Sequence, residues 1–91
     1  MSVERTIVDK LTAALAPSRL EVRNESHLHH GHAGSPGSGE SHFRVTVVSD
    51  RFAGMGRLER HRMVNGILAD ELAGPVHALA ILARTPGEPA A

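Results

Sequence analysis

The sequence predicts a single α+β domain in which helices cover one side of a three-stranded sheet. Three observations predict it. Apolar residues recur every three or four positions near the N-terminus and again in the second half, as in amphipathic helices. Two short stretches between them alternate apolar and polar residues, as in half-buried strands. A third stretch, almost wholly apolar, follows the second helical pattern. With 91 residues there is room for one modest core, since a chain of this length buries somewhat over ~60% of its unfolded surface.

The first helix is built on Val3, Ile7, Leu11, Ala14 and Leu15, with Ser2 as N-cap and Pro17 ending it at about Ala16. Leu20 and Val22 then alternate with Glu21 and Arg23. After a long loop, Phe43, Val45 and Val47 share one face, and Arg44 and Thr46 the other. These two strands read as the arms of a hairpin. A connection of about 15 residues between hairpin strands is unusually long, and such loops are generally functional or disordered. A second helix is expected over 57–73. At about 100° per residue Val64, Ile67, Leu68 and Leu72 fall on one side. Glu71 lands on the same side as a misfit, and Gly66 in mid-helix suggests a close packing contact. Gly74-Pro75 ends that helix, and 76–84 reads as a strand buried on both faces. The domain is expected over 1–85, with a flexible His/Gly/Ser loop at 27–41 and a disordered tail at 86–91 rich in Pro, Gly and Ala.

Composition removes several function classes. Cysteine is absent, so this chain supplies neither a disulfide nor a thiolate ligand or nucleophile. Ten basic residues balance ten acidic ones, whereas proteins living on phosphate contacts usually carry a positive excess. The carboxylates are scattered, and neither a phosphate-binding loop nor a nucleophile motif is present, so no enzyme is expected. The N-terminal segment lacks the apolar run of a signal peptide, and no stretch approaches a bilayer span of roughly 20 apolar residues. A cytoplasmic protein is the expectation.

Five of the seven histidines, His27, His29, His30, His32 and His42, lie in or beside the glycine-rich loop. Neutral imidazole is the commonest metal ligand, and a Gly-rich loop can bend several toward one ion. Solvated polar residues in a linker would look the same in sequence. His77 stands at the start of an apolar strand, where it must reach solvent or find a partner such as a backbone carbonyl. Arg57, Arg60, His61 and Arg62 crowd the start of the second helix, the end of the dipole that prefers anions. Either an acidic partner or a merely solvated charged face would account for them.

The passages ESHFRVTVVSDRFAG at 40–54, RHRMVNGILADEL at 60–72 and VHALAILARTPGE at 76–88 together resemble the BolA family, in order and at its spacing, over nearly the whole chain. The resemblance implies a fold similar to the class II KH domain, α-β-β-α-α-β, with a short helical turn at 52–56 supplying the additional helix. It also implies an adaptor for iron–sulfur cluster assembly or trafficking, or for iron regulation. Such proteins pair with a monothiol glutaredoxin and share a [2Fe–2S] cluster with it. The glutaredoxin and its glutathione supply sulfur, while the BolA-like chain supplies a histidine of its last strand and a His or Cys of its first interstrand loop. On this sequence those positions are His77 and a loop histidine. His29 is chosen because the family's loop ligand tends to follow the "NES" at 24–26 within a few residues. The loop here is longer than the family's and offers His27, His30 and His32 as alternates; the aromatic residue that often follows the final "TP.E" is missing.

Two rival functions remain. Some BolA-like proteins are described as DNA-binding regulators of transcription, and Arg57, Arg60, His61 and Arg62 would then meet the backbone. A KH clamp, however, needs G-x-x-G, and this chain has only Gly54-Met55-Gly56. In the other reading the loop histidines buffer a mononuclear ion such as Zn, Ni or Cu. The basic helix start and the Gly54–Gly56 turn would suit a docking surface for the acidic groups of a glutaredoxin.

Overall fold

The structure, a computed structural model, describes residues 2–26 and 41–88. Helix α1 (Val3–Leu15) is capped by Ser2, whose hydroxyl accepts from Arg5 N at 3.0 Å. It ends where Ala16 turns left-handed (φ 42°) and donates to Thr12 O, with Pro17 preventing continuation. Ile7, Leu11 and Leu15 form its buried stripe. Strands β1 (Arg19–Asn24) and β2 (His42–Val48) pair antiparallel with Val22 opposite Val45 and Asn24 opposite Phe43, as expected for a hairpin. A single 3₁₀ turn (Asp50–Phe52) leads into α2 (Arg57–Ile67) and α3 (Ala69–Ala73). β3 (Ala78–Arg84) then pairs parallel to β2, giving the sheet order β1-β2-β3.

One sheet face carries Leu20, Val22, Phe43, Val45, Val47, Leu79, Ile81 and Ala83, and with the helices it closes the core around Phe52, Val64, Leu68 and Val76. α1 packs on β1 and α2 on β3. The other face is polar over β1 and β2, where Arg19, Arg23 and Arg44 are exposed. The fold is α+β in the order α-β-β-α-α-β. Ser49 fastens the layers at one corner. Its fully buried hydroxyl donates to Leu15 O at 2.6 Å, so the last carbonyl of α1 is satisfied from the end of β2.

Several expectations are corrected. The helix expected over 57–73 breaks at Leu68 (φ −102°, ψ 21°). That break, rather than a turn at 52–56, supplies the additional helix. Among the described residues Gly66 has no close packing contact: a Cβ there would meet no atom within 4 Å outside its own helix backbone. Glu71 faces inward because Lys10 meets it; Nζ donates to both carboxylate oxygens at 2.9 Å, tying α1 to α3. β3 is not buried on both faces but forms an edge strand of alternating exposure, with Leu82 40% exposed. Periodicity in an Ala- and Leu-rich run does not separate an edge from a centre, because Ala suits both. The tail does not begin at 86. Thr85–Glu88 forms a turn with Gly87 at φ 97°, closed by Glu88 N donating to Thr85 O at 3.2 Å. Positions 27–40 and 89–91, the remainder of the expected loop and tail, lie outside the described residues.

Candidate functional site

The first candidate region is the corner where β2 and β3 begin. Val76, only 2% exposed, plugs into the core and donates to Glu71 O at 2.9 Å, so the chain leaving Gly74-Pro75 has one course. His77 N then donates to Ser41 O at 2.7 Å, and Ala78 N shares that acceptor at 3.2 Å. The His77 side chain is exposed, so the core-edge alternative does not apply to it. The backbone therefore fixes the position of His77 while its imidazole stays accessible.

The same corner anchors the long loop. Ser26 is 5% exposed, and its hydroxyl accepts from Ser41 N at 2.8 Å and from His42 N at 3.0 Å. Asn24 Oδ1 in turn accepts from Ser26 N at 3.0 Å. Glu25 N donates to His42 O at 2.8 Å, and the Glu25 carboxylate receives Arg44 Nε. Ser41 Oγ and His42 Nδ1 lie 2.8 Å apart, the direction of that bond following the imidazole tautomer. The two described ends of the loop are thus clipped to each other, and one of them, Ser41, is bonded to His77. Motif reading singled out neither Ser26 nor Ser41. Their only signal was the Glu-Ser-His triplet repeated at both ends of the loop, each serine being the residue that makes the clip.

His27, His29, His30 and His32 lie outside the described residues. Among the described residues no group of three or more His, Cys, Asp or Glu stands close enough to hold a metal ion. His42, the first residue of β2, stands opposite Ala78, the residue after His77.

The second candidate region is the basic start of α2, at the far end of β3. Arg60 is turned inward, its side chain 13% exposed. Nε donates to Met55 O at 2.9 Å and Nη1 to Ala83 O at 3.1 Å. Glu88 completes a bidentate pair, at 2.6 Å to Nη1 and 3.0 Å to Nη2, and the guanidinium carbon lies 5.9 Å from the Phe52 ring centroid. The Arg60 guanidinium, then the Thr85 N–H, holds the Glu88 carboxyl down to about 2. Glu88 in turn holds Arg60 above the ordinary guanidinium value, the hydrogen bond dominating. Arg60 is therefore a clamp between α2, β3 and the C-terminal turn, and a partner's anion would have to compete with Glu88 for it.

Its neighbours differ. Arg57 and His61 line two adjoining cavities of about 500 and 550 Å³ along β3, and neither cavity includes Arg62, which is exposed. Gly54 has φ 79°, a left-handed turn favouring glycine. Among the described residues, its chain neighbours aside, no atom lies within 4 Å of a Cβ placed there, so conformation rather than crowding calls for the glycine.

Comparison with known proteins agrees with this architecture. The family model described as BolA-like protein matches residues 11–88. BolA-like protein 1 of Homo sapiens is 60% identical over 86 residues, covering 94% of this chain and 60% of that protein. The DNA-binding transcriptional regulator BolA of Vibrio cholerae is 52% identical over 79 residues, 87% of this chain and 71% of that protein. The solved structure of BolA1 from Arabidopsis thaliana superposes with a TM-score of 0.88 at 38% identity, covering 98% and 97% of the two chains. This chain spans about 60% of the length of the first curated relatives it matches. No helix among the described residues is long and apolar enough to cross a membrane. On fold, motif order and similarity alike, the chain belongs to the BolA-like family.

Proposed function

We propose that this chain is a non-enzymatic adaptor that binds a monothiol glutaredoxin and shares with it a [2Fe–2S] cluster carried as cargo. His77 and one histidine of the 27–32 segment, His29 in the first instance, are its ligands. One observation carries the reading: an exposed imidazole whose own backbone is bonded to Ser41, at the foot of the histidine-bearing loop. His29 follows Ser26 by three residues, and three residues of chain reach roughly 10 Å at full extension. Ser26 is itself clipped to Ser41, so covalent geometry permits both imidazoles to meet one iron.

The donor chemistry fits. Without cysteine this chain contributes no thiolate; its histidines would contribute nitrogen, and the thiolates come from the glutaredoxin and glutathione. Replacing thiolates by neutral imidazoles on one iron removes negative charge and raises the reduction potential, as in Rieske centres. Imidazoles are also released by protonation, which suits a carrier that hands a cluster on. Reconstitution with a monothiol glutaredoxin and glutathione under anaerobic conditions tests this. His77→Ala is expected to alter the visible circular dichroism of the complex; an unchanged signature removes His77 from the cluster.

A second reading, a DNA-binding regulator, is favoured by the name of the Vibrio cholerae relative. Its contact set is weakened here, because Arg60 is committed to Glu88 and the formal charge is zero. Binding that lacks sequence preference and collapses between low and physiological salt would reduce this reading to charge attraction.

A further inference from the structure

We propose that the free edge of β3 is a docking site for an extended, acidic segment of another protein, which adds to the sheet as a fourth strand. The inference does not rest on the cluster reading, since it concerns the strand beyond His77 rather than the histidine corner.

The backbone groups of β3 point in a direction that leaves its outer edge open. In a parallel pair, alternate residues of a strand make both ladder bonds to the neighbour while the residues between them point both groups away. Ala78 N donates to Ser41 O, and Arg84 O accepts from Ser49 N. Ala78, Ala80, Leu82 and Arg84 therefore face β2, and Leu79, Ile81 and Ala83 present their N–H and C=O at the outer edge. Arg60 corroborates this by reaching Ala83 O from outside. Among the described residues it is the one side chain hydrogen-bonded to that edge, so the amides of Leu79 and Ile81 remain open to a new partner.

The edge also lacks the usual protection. Solvent-facing edges are normally blunted by lysines, proline, bulges, shortness or a covering element. This edge is a seven-residue strand, ALAILAR, unbroken in register and uncharged until its last residue. Its Leu82 is one of only two exposed large apolar side chains among the described residues.

Charge selects the occupant. The two cavities beside the edge share Arg57, His61, Ile81 and Leu82, giving an apolar floor under a basic rim. Their one acidic lining residue, Glu88, is already consumed by Arg60. A strand entering the groove would thus find ladder hydrogen bonds, an apolar seat for alternate side chains, and cations for the others, the pattern of strand-addition recognition. A second copy of the chain would bring the same cations against themselves. A nucleic acid would find no stacking platform, because both phenylalanines, Phe43 and Phe52, are buried.

The test titrates the isotope-labelled full chain with a synthetic, C-terminally amidated peptide of alternating Val and Glu. The expected result is perturbation of the Leu79 and Ile81 amides and at least tenfold slower hydrogen exchange at both. Arg57→Glu, a change at an exposed position, is expected to weaken the peptide about tenfold with an otherwise unchanged amide spectrum. A peptide N-methylated at alternate amides is expected not to bind. The proposal is overturned by no binding at millimolar peptide, or by binding that leaves Leu79 and Ile81 unprotected. Equal binding of the N-methylated peptide also overturns it, as does protection of the edge by single-stranded oligothymidine but not by the peptide. Protection that appears with protein concentration alone would make the edge a self-association surface instead, and the proposal would fall.

Discussion

The two ends of β3 carry the two polar clusters that stand out in the sequence, and they differ in what is left over. At the C-terminal end Arg60 makes four hydrogen bonds, to Met55, Ala83 and twice to Glu88. At the N-terminal end His77 commits its backbone N–H to Ser41 and keeps its imidazole exposed. One cluster uses its polar groups within the molecule; the other uses only main chain and leaves an imidazole exposed. The difference teaches that residue type does not separate a structural charge from an offered one. A guanidinium near a helix start and an imidazole near a strand start are alike in sequence and differ in whether the side chain is satisfied within the molecule.

The sharpest way to break the histidine end is Ser26→Ala. Its hydroxyl accepts from two backbone N–H groups at a buried site, and a buried donor left unsatisfied costs about 1–3 kcal/mol. Urea unfolding is expected to show a loss in that range. If the clip also holds the loop beside His77, cluster yield with the glutaredoxin should fall further than the stability loss explains. His77→Ala, by contrast, is expected to leave stability within about 0.5 kcal/mol of wild type, as surface changes usually do. A smaller effect is expected at the other end, and it depends on pH. Glu88 is held down to about 2 from an ordinary 4.5. A carboxyl depressed on folding stabilises fully above its unfolded value and loses that contribution as pH falls toward the folded one. The urea midpoints of wild type and Glu88→Gln are therefore expected to differ at neutral pH and to converge from about pH 4.5 downward. A constant difference across that window would mean that the carboxylate charge is not what Arg60 uses.

Much of the scaffold was legible because it is local. Ile7, Leu11 and Leu15 sit one turn apart, and Phe43, Val45 and Val47 alternate within one strand, so periodicity finds both. What escaped was non-local. Glu71 was a misfit on its helix because its partner Lys10 lies 61 residues earlier, and Arg60 looked free because Glu88 lies 28 residues later. Position 77 was legible as a candidate through its polar placement in an apolar strand and through the family resemblance. Its accessibility was not, since that depends on β3 being an edge strand. The serine clip has no pattern of its own: a hydroxyl accepting from backbone 15 residues away is visible only once the hairpin closes.

Gly66→Ala sharpens the comparison from neutral ground, because it changes the scaffold between the two ends and touches neither. A glycine in mid-helix suggests a close neighbour, yet among the described residues a Cβ at this position meets nothing within 4 Å outside its own helix backbone, and that backbone is helical. With no clash to oppose it, alanine acts by removing conformational freedom from the unfolded chain, worth about 0.5 kcal/mol this near the end of α2. For a domain of this size that corresponds to a rise of about 2–4 °C in Tm. Reconstitution yield and the Glu88 pH response are expected to stay unchanged, since neither His77 nor Arg60 moves. A stable variant that no longer pairs with the glutaredoxin would place the close neighbour of Gly66 on the partner, and would add this helix face to the docking surface.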